Sequence, residues 1–174
     1  MSQFTHDWKN LSTQQLGRYG EYLFKMKLTL HGLDIYSPEI DDRGIDFVVR
    51  TKAGDFFEIQ VKSIRTFQYL FIQKSKMMPS PKRFVAFGHF RDADPVLYLI
   101  PSEAWLAPNK LFKDRDYEGK KSAPEWGIDF RESTLSLLEQ YRFDDVAAML
   151  SMSSMTVVQQ DDELVAYDSK VDFA

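Results

Sequence analysis

Leu16, Tyr19, Leu23, Met26 and Leu30 recur at intervals of three and four, which predicts an amphipathic helix over residues 13–30. Ser12 followed by Gln15 forms a capping box ahead of it, and Gly32 marks its stop. Gly17 and Gly20 each cost about 1 kcal/mol inside a helix, so the pair predicts close approach to another backbone. The period then changes to two. Asp34 to Ile40 reads as a short strand broken by Pro38, Ile45 to Arg50 as a firmer strand, and Phe57, Ile59 and Val61 alternate with Glu58, Gln60 and Lys62. Between the last two runs, Lys52, Ala53 and Gly54 suit a hairpin loop with glycine in the left-handed position. Counting outward from Ala53 pairs Arg50 with Phe56, Val48 with Glu58 and Asp46 with Gln60; a bulge would shift this by one.

Further along, Tyr69–Gln73, Phe84–Phe90 and Val96–Ile100 read as strands, and the Pro- and Ser-rich segment 79–83 as a connector. Pro101 to Trp105 reads as a capped helix start, and Ser133–Tyr141 and Asp144–Met149 as short helices. From Ser151 the chain is polar and acidic, either a tail or an added strand around Met155–Val158. Gly-Ile-Asp-Phe occurs at 44–47 and again at 127–130, but the flanking patterns differ. The second copy is read as coincidence and Asp129 as structural.

Composition narrows the class. With 174 residues and 44% hydrophobic content the chain can bury one substantial core, so a single domain over 1–150 followed by an acidic segment at 151–174 is expected. The absence of cysteine removes disulfides and thiolate metal sites. No apolar leader or membrane-length run is present, and the expectation is a soluble, cytoplasmic protein. The net charge of −4 conceals a segment from Lys62 to Arg83 with six cations and no acid. That run is either a phosphate-facing patch or a solvated loop. His6, His31 and His89 are scattered and carry no ligand spacing.

The symmetric hairpin puts Asp46 and Gln60 on one face with Lys62 one alternation further. A carboxylate and an amide oxygen roughly 5 Å apart at Cβ can share a hard cation such as Mg²⁺. Lys62 would then stand beside the water that such an ion activates, an arrangement suited to phosphodiester hydrolysis.

Gly17-Arg18-Tyr19-Gly20-Glu21, Asp42-Arg43-Gly44-Ile45-Asp46 and Ile59-Gln60-Val61-Lys62-Ser63 together resemble the PD-(D/E)xK nuclease superfamily. The likeness covers roughly residues 12–105 and is nearest to uncharacterised bacterial members and group I intron homing endonucleases. Ile45 stands where the family name has proline, and Gln60 where it has an acid, which removes a negative charge from the site. The resemblance implies an α/β, restriction endonuclease-like fold, a mixed β-sheet flanked by helices. It implies catalytic residues Asp46, Gln60, Lys62 and Glu21, with Mg²⁺ (or Mn²⁺) held by Asp46, Gln60, the Val61 carbonyl and Glu21. Arg43, Arg65, Lys74 and Lys76 become candidate nucleic-acid contacts. The expected activity is endonucleolytic, on DNA rather than RNA, by a homodimer or higher homo-oligomer. The alternative is a catalytically weakened module that binds nucleic acid or a protein partner in a bacterial defence or mobile-element system.

Overall fold

A computed structural model describes residues 8–40, 43–92 and 94–152. The expected strand at Met155–Val158 lies outside the described residues, as do His6 and Asp42.

Helix α1 (Thr13–Leu30) starts at Ser12, whose hydroxyl accepts from Gln15 N–H while the Gln15 side chain accepts from Ser12 N–H. It ends at His31, with Gly32 at φ 78°. Leu16, Gly20, Phe24 and Leu28 form its buried stripe. The strands follow: β1 (Asp34–Tyr36), β2 (Phe47–Arg50), β3 (Phe56–Ile64), β4 (Gln68–Gln73), β5 (Arg83–His89), β6 (Val96–Pro101), β7 (Phe112–Arg115) and β8 (Glu125–Phe130). Helix α2 (Phe143–Met152) closes the described chain.

The main sheet has the order β1-β2-β3-β5-β6. It is mixed, because β3 and β5 are parallel while the other neighbours are antiparallel. Both helices pack on one face, where Phe24, Leu28, Phe143, Val146 and Leu150 meet Phe47, Ile59 and Leu99. The other face is covered by a second sheet, β4-β8-β7, through a core that includes Trp105, Trp126, Ile128 and Phe130. Covering on both sides explains why Phe84 to His89 of β5 is buried without alternation. The buried indoles are satisfied: Trp105 donates to Gly127 C=O at 2.9 Å and Trp126 to Met77 C=O at 2.8 Å.

Several sequence readings are corrected. Gly20 does lie close against β3, but what a Cβ there would run into is the Ser63 side chain and not a backbone, and Gly17 has open space. The segments Ser102–Leu106, Glu132–Leu137 and Glu139–Tyr141 are short 3-10 turns instead of α-helices. Strands β7 and β8 had no counterpart in the sequence reading, and the second Gly-Ile-Asp-Phe lies within β8. Asp129 there accepts from Arg131 at 2.7 Å, a structural contact. No helix among the described residues is long and apolar enough to cross a membrane.

Candidate functional site

The β2–β3 hairpin turns through Lys52, Ala53 and Gly54, with Gly54 at φ 95° and Thr51 N–H donating to Asp55 C=O at 2.9 Å. Its register runs Arg50–Phe56, Val48–Glu58 and Phe47–Ile59. At Asp46 the count slips. Asp46 N–H donates at 2.9 Å to the Ile59 carbonyl, the residue already paired with Phe47, so two residues of this strand oppose one of β3. That is a β-bulge, and its effect is to re-aim a side chain. Asp46 is therefore not directly opposite Gln60; its carboxylate reaches along the edge of β3 and accepts from Val61 N–H at 2.5 Å.

The direction of the β3 backbone groups follows from its pairing. Glu58 N–H and Ile64 C=O bond on the β5 side, so odd-numbered residues present theirs to the opposite edge. Since β2 begins at Phe47, opposite Ile59, the edge beside Val61 lies beyond the ladder. The Val61 carbonyl thus shares that edge with the Asp46 carboxylate.

Side chains on β3 divide between two faces. Val61 and Ser63 lie under α1, as the close approach of Gly20 to both shows. Gln60 and Lys62 point the other way, into a pocket of about 440 Å³ that they line with Lys76 and the edge of β4. Gln60 is buried, and its Oε1 has no hydrogen-bond partner. Its amide nitrogen packs at Gly44, whose φ of 69° and lack of a side chain let this loop sit between Gln60 and the Lys76 carbonyl. Tyr69 also lines the pocket. Burial, and then its hydrogen bond to Glu125, pushes its phenol above the ordinary 10, so it serves there as a neutral donor, 2.7 Å from Glu125 Oε1.

Glu21 approaches from the helical side. Lys25, one turn later, lies over the Phe47 ring at 5.3 Å, while Gly20 meets Val61 and Ser63. Glu21 therefore stands near the height of Val61, on the flank facing β2, and its carboxylate accepts from Arg18 at 2.6 Å. Glu58 is bound to Arg83 as an ion pair, which occupies the carboxylate two residues before Gln60.

The basic candidates part company. Lys76 joins Gln60 and Lys62, and Arg43 is exposed beside Gly44. Lys74 is held between Asp114 and Asp116 and lies 4.3 Å from the Trp126 ring centre. Burial alone would lower its pKa, but the two carboxylates more than offset that and raise it. Arg65 donates instead to the backbone carbonyls of Trp8, at 2.7 Å, and Leu11. Sequence reasoning missed the contribution of β4, because Gln68 and Gln73 show no motif and reach the pocket only through the second sheet.

The donor set fits a hard cation. A carboxylate and a main-chain carbonyl share one edge, and an amide oxygen without a partner lies on the adjacent residue, all oxygen ligands of the type Mg²⁺ accepts. Among the described residues no group of three or more His, Cys, Asp or Glu is placed to hold a metal, consistent with an amide at position 60.

No protein-family model and no curated protein sequence matches the chain. Among solved structures the chain is similar to a bacterial homing endonuclease, I-Ssp6803I, with a TM-score of 0.50 and 13% identity over 84% of this chain and 98% of that one. At that identity the likeness is one of fold, and the fold is nuclease-like.

Proposed function

We propose that the protein is a metal-dependent endonuclease of the PD-(D/E)xK type that hydrolyses phosphodiester bonds, DNA being the expected substrate. The observation that carries this is the buried, unpartnered Gln60 Oε1, one residue from a Val61 amide gripped by Asp46. A buried oxygen is not left unpaired without cost, and a cation or its hydration shell entering the pocket would satisfy it. Asp46, Gln60 and the Val61 carbonyl would hold the ion, with Glu21 contributing from the helical side. Bound Mg²⁺ or Mn²⁺ would supply Lewis acidity toward a phosphate oxygen and lower the pKa of water.

Lys62, on the same face as Gln60, would orient the attacking water and offset the negative charge that develops on the phosphate. Lys76 and Arg43 would position the strand by phosphate contact, without reading sequence. A homodimer would bring two such sites to antiparallel strands.

The test is incubation of supercoiled plasmid, branched DNA and RNA with wild-type and Lys62→Ala protein in Mg²⁺ or Mn²⁺. Cleavage by the wild type that falls about 10²-fold or more in the variant supports the reading. A second reading has an observation of its own. Gln60 is neutral and Glu58 is engaged by Arg83, which leaves Asp46 and Glu21 as the acids near this edge among the described residues and favours a binding module with a weak cation site. Calorimetry with Mn²⁺ separates the two, because the nuclease saturates with the cation at concentrations that support cleavage and the binding module takes it up only weakly or not at all.

A further inference from the structure

A second pocket, of about 400 Å³, lies past the end of β3 and is lined by Lys9, Arg65, Thr66, Phe67, Phe90 and Arg91. Its aromatic floor is held in place from behind. Phe90 packs edge-on against Trp8 at 5.2 Å, in room left by the missing side chain of Gly88. Phe67 packs against His89 at 5.4 Å and Phe130 at 5.0 Å. The rim is cationic: Arg91 lies 5.9 Å from the Phe67 ring centre, and Arg65 is fixed by two neutral carbonyls. Among the described residues neither arginine makes an ion pair and no carboxylate lines the pocket.

We propose that this pocket takes one nucleotide of a nucleic-acid strand, the base against Phe67 and the phosphate at Arg91 and at the Nη1 side of Arg65, the donors that Trp8 and Leu11 leave over. A preformed aromatic surface accepts any base by stacking, and guanidinium groups bind phosphate through paired donors. Position favours a nucleic acid over an acidic peptide. Arg65 follows Lys62 by three residues, at most about 10 Å along the chain, just past the end of β3, so a strand that rounds that end from the first pocket reaches the second. That step rests on the phosphodiester reading above; the stacking and phosphate chemistry does not.

The experiment is done in EDTA, so that cleavage and cation binding play no part. Isotope-labelled protein is titrated with a 5′-deoxynucleotide, the matching nucleoside, inorganic phosphate, a single-stranded octanucleotide and a polyglutamate peptide. The expected result is a set of amide shifts centred on Thr66, Phe67 and Arg91, larger for the nucleotide than for nucleoside or phosphate alone. Arg91→Glu, an exposed change, should weaken octanucleotide binding about tenfold or more and, in separate calorimetry without EDTA, leave Mn²⁺ uptake unaltered. Lys62→Ala should leave the nucleotide-induced shifts at this pocket in place. Equal octanucleotide affinity of Arg91→Glu and wild type, shifts centred elsewhere, phosphate acting as well as the nucleotide, or polyglutamate acting as well as the octanucleotide would each overturn the proposal. Absence of cation uptake by the wild type in the EDTA-free calorimetry, with the shifts intact, would instead remove the nuclease reading and leave this pocket standing.

Discussion

Gln60 separates what the amide does for the apo fold from what it does for a cation. Replacing it by glutamate adds a charge in a buried position, which is costly until something positive pairs with it. Gln60→Glu should therefore lower the melting temperature in EDTA by several degrees and recover it in Mn²⁺, with cation affinity about tenfold above wild type by calorimetry. Unchanged affinity would place the cation elsewhere. Lys74 and Lys76 offer a second contrast between near neighbours. Lys76→Ala should weaken DNA binding and reduce the slope of affinity against salt by about one phosphate contact, whereas Lys74→Ala, removing a cation already neutralised by Asp114 and Asp116, should leave the slope unchanged. The sharing of one face by Gln60 and Lys62 was readable from the alternation of β3; the place of Asp46 was not, because its carboxylate meets the Val61 amide and does not stand opposite Gln60. The fate of Lys74 was not readable either, because its acidic partners are contributed about 40 positions later by another strand.

The pairing of α1 with β3 is governed by a single close approach. A methyl group at position 20 would strike the Ser63 hydroxyl, so Gly20→Ala should cost about 1–3 kcal/mol in urea unfolding despite alanine's better helix propensity. Adding Ser63→Gly should recover part of that loss, and failure to recover it would show that the backbone, not the hydroxyl, sets the limit. Helix α1 was legible in its bounds, from cap to stop, because those signals are local, but its buried face was not: Met26 and Leu30 of the expected apolar series are exposed, and Phe24 and Leu28 are buried instead. The hairpin loop was legible because its signals, too, are local. Strand β8 was not, although Trp126, Ile128 and Phe130 alternate with Glu125, Gly127 and Asp129. Gly127 weakens the strand pattern, and its use, making room for the Tyr69 ring, depends on a strand almost 60 positions earlier. Strand β7 has one buried residue, Phe112, and so carries no period to detect.

The whole molecule is a central sheet with a helical layer on one side and a small sheet on the other, and His89 reports on the join. Burial foremost, and then the Arg91 charge, lowers its pKa below the ordinary 6.5, against a raising contribution from the Arg65 carbonyl and Asp92. The unfolded chain therefore binds a proton more readily. Stability from this residue is fully present above about pH 6.5 and is lost as pH falls from there toward the lower folded value. His89→Phe should flatten the dependence of urea midpoint on pH over that window, and an unchanged slope would assign it to other groups.

The extra residue at the root of the β2–β3 hairpin sets a rule about spacing. A bulge depends on how many residues stand between Gly44 and Phe47 more than on which they are, so isoleucine can occupy position 45 where the resembling nucleases carry proline. Deleting that one residue would cost far more than any exchange there, for it would swing the Asp46 carboxylate off the Val61 amide.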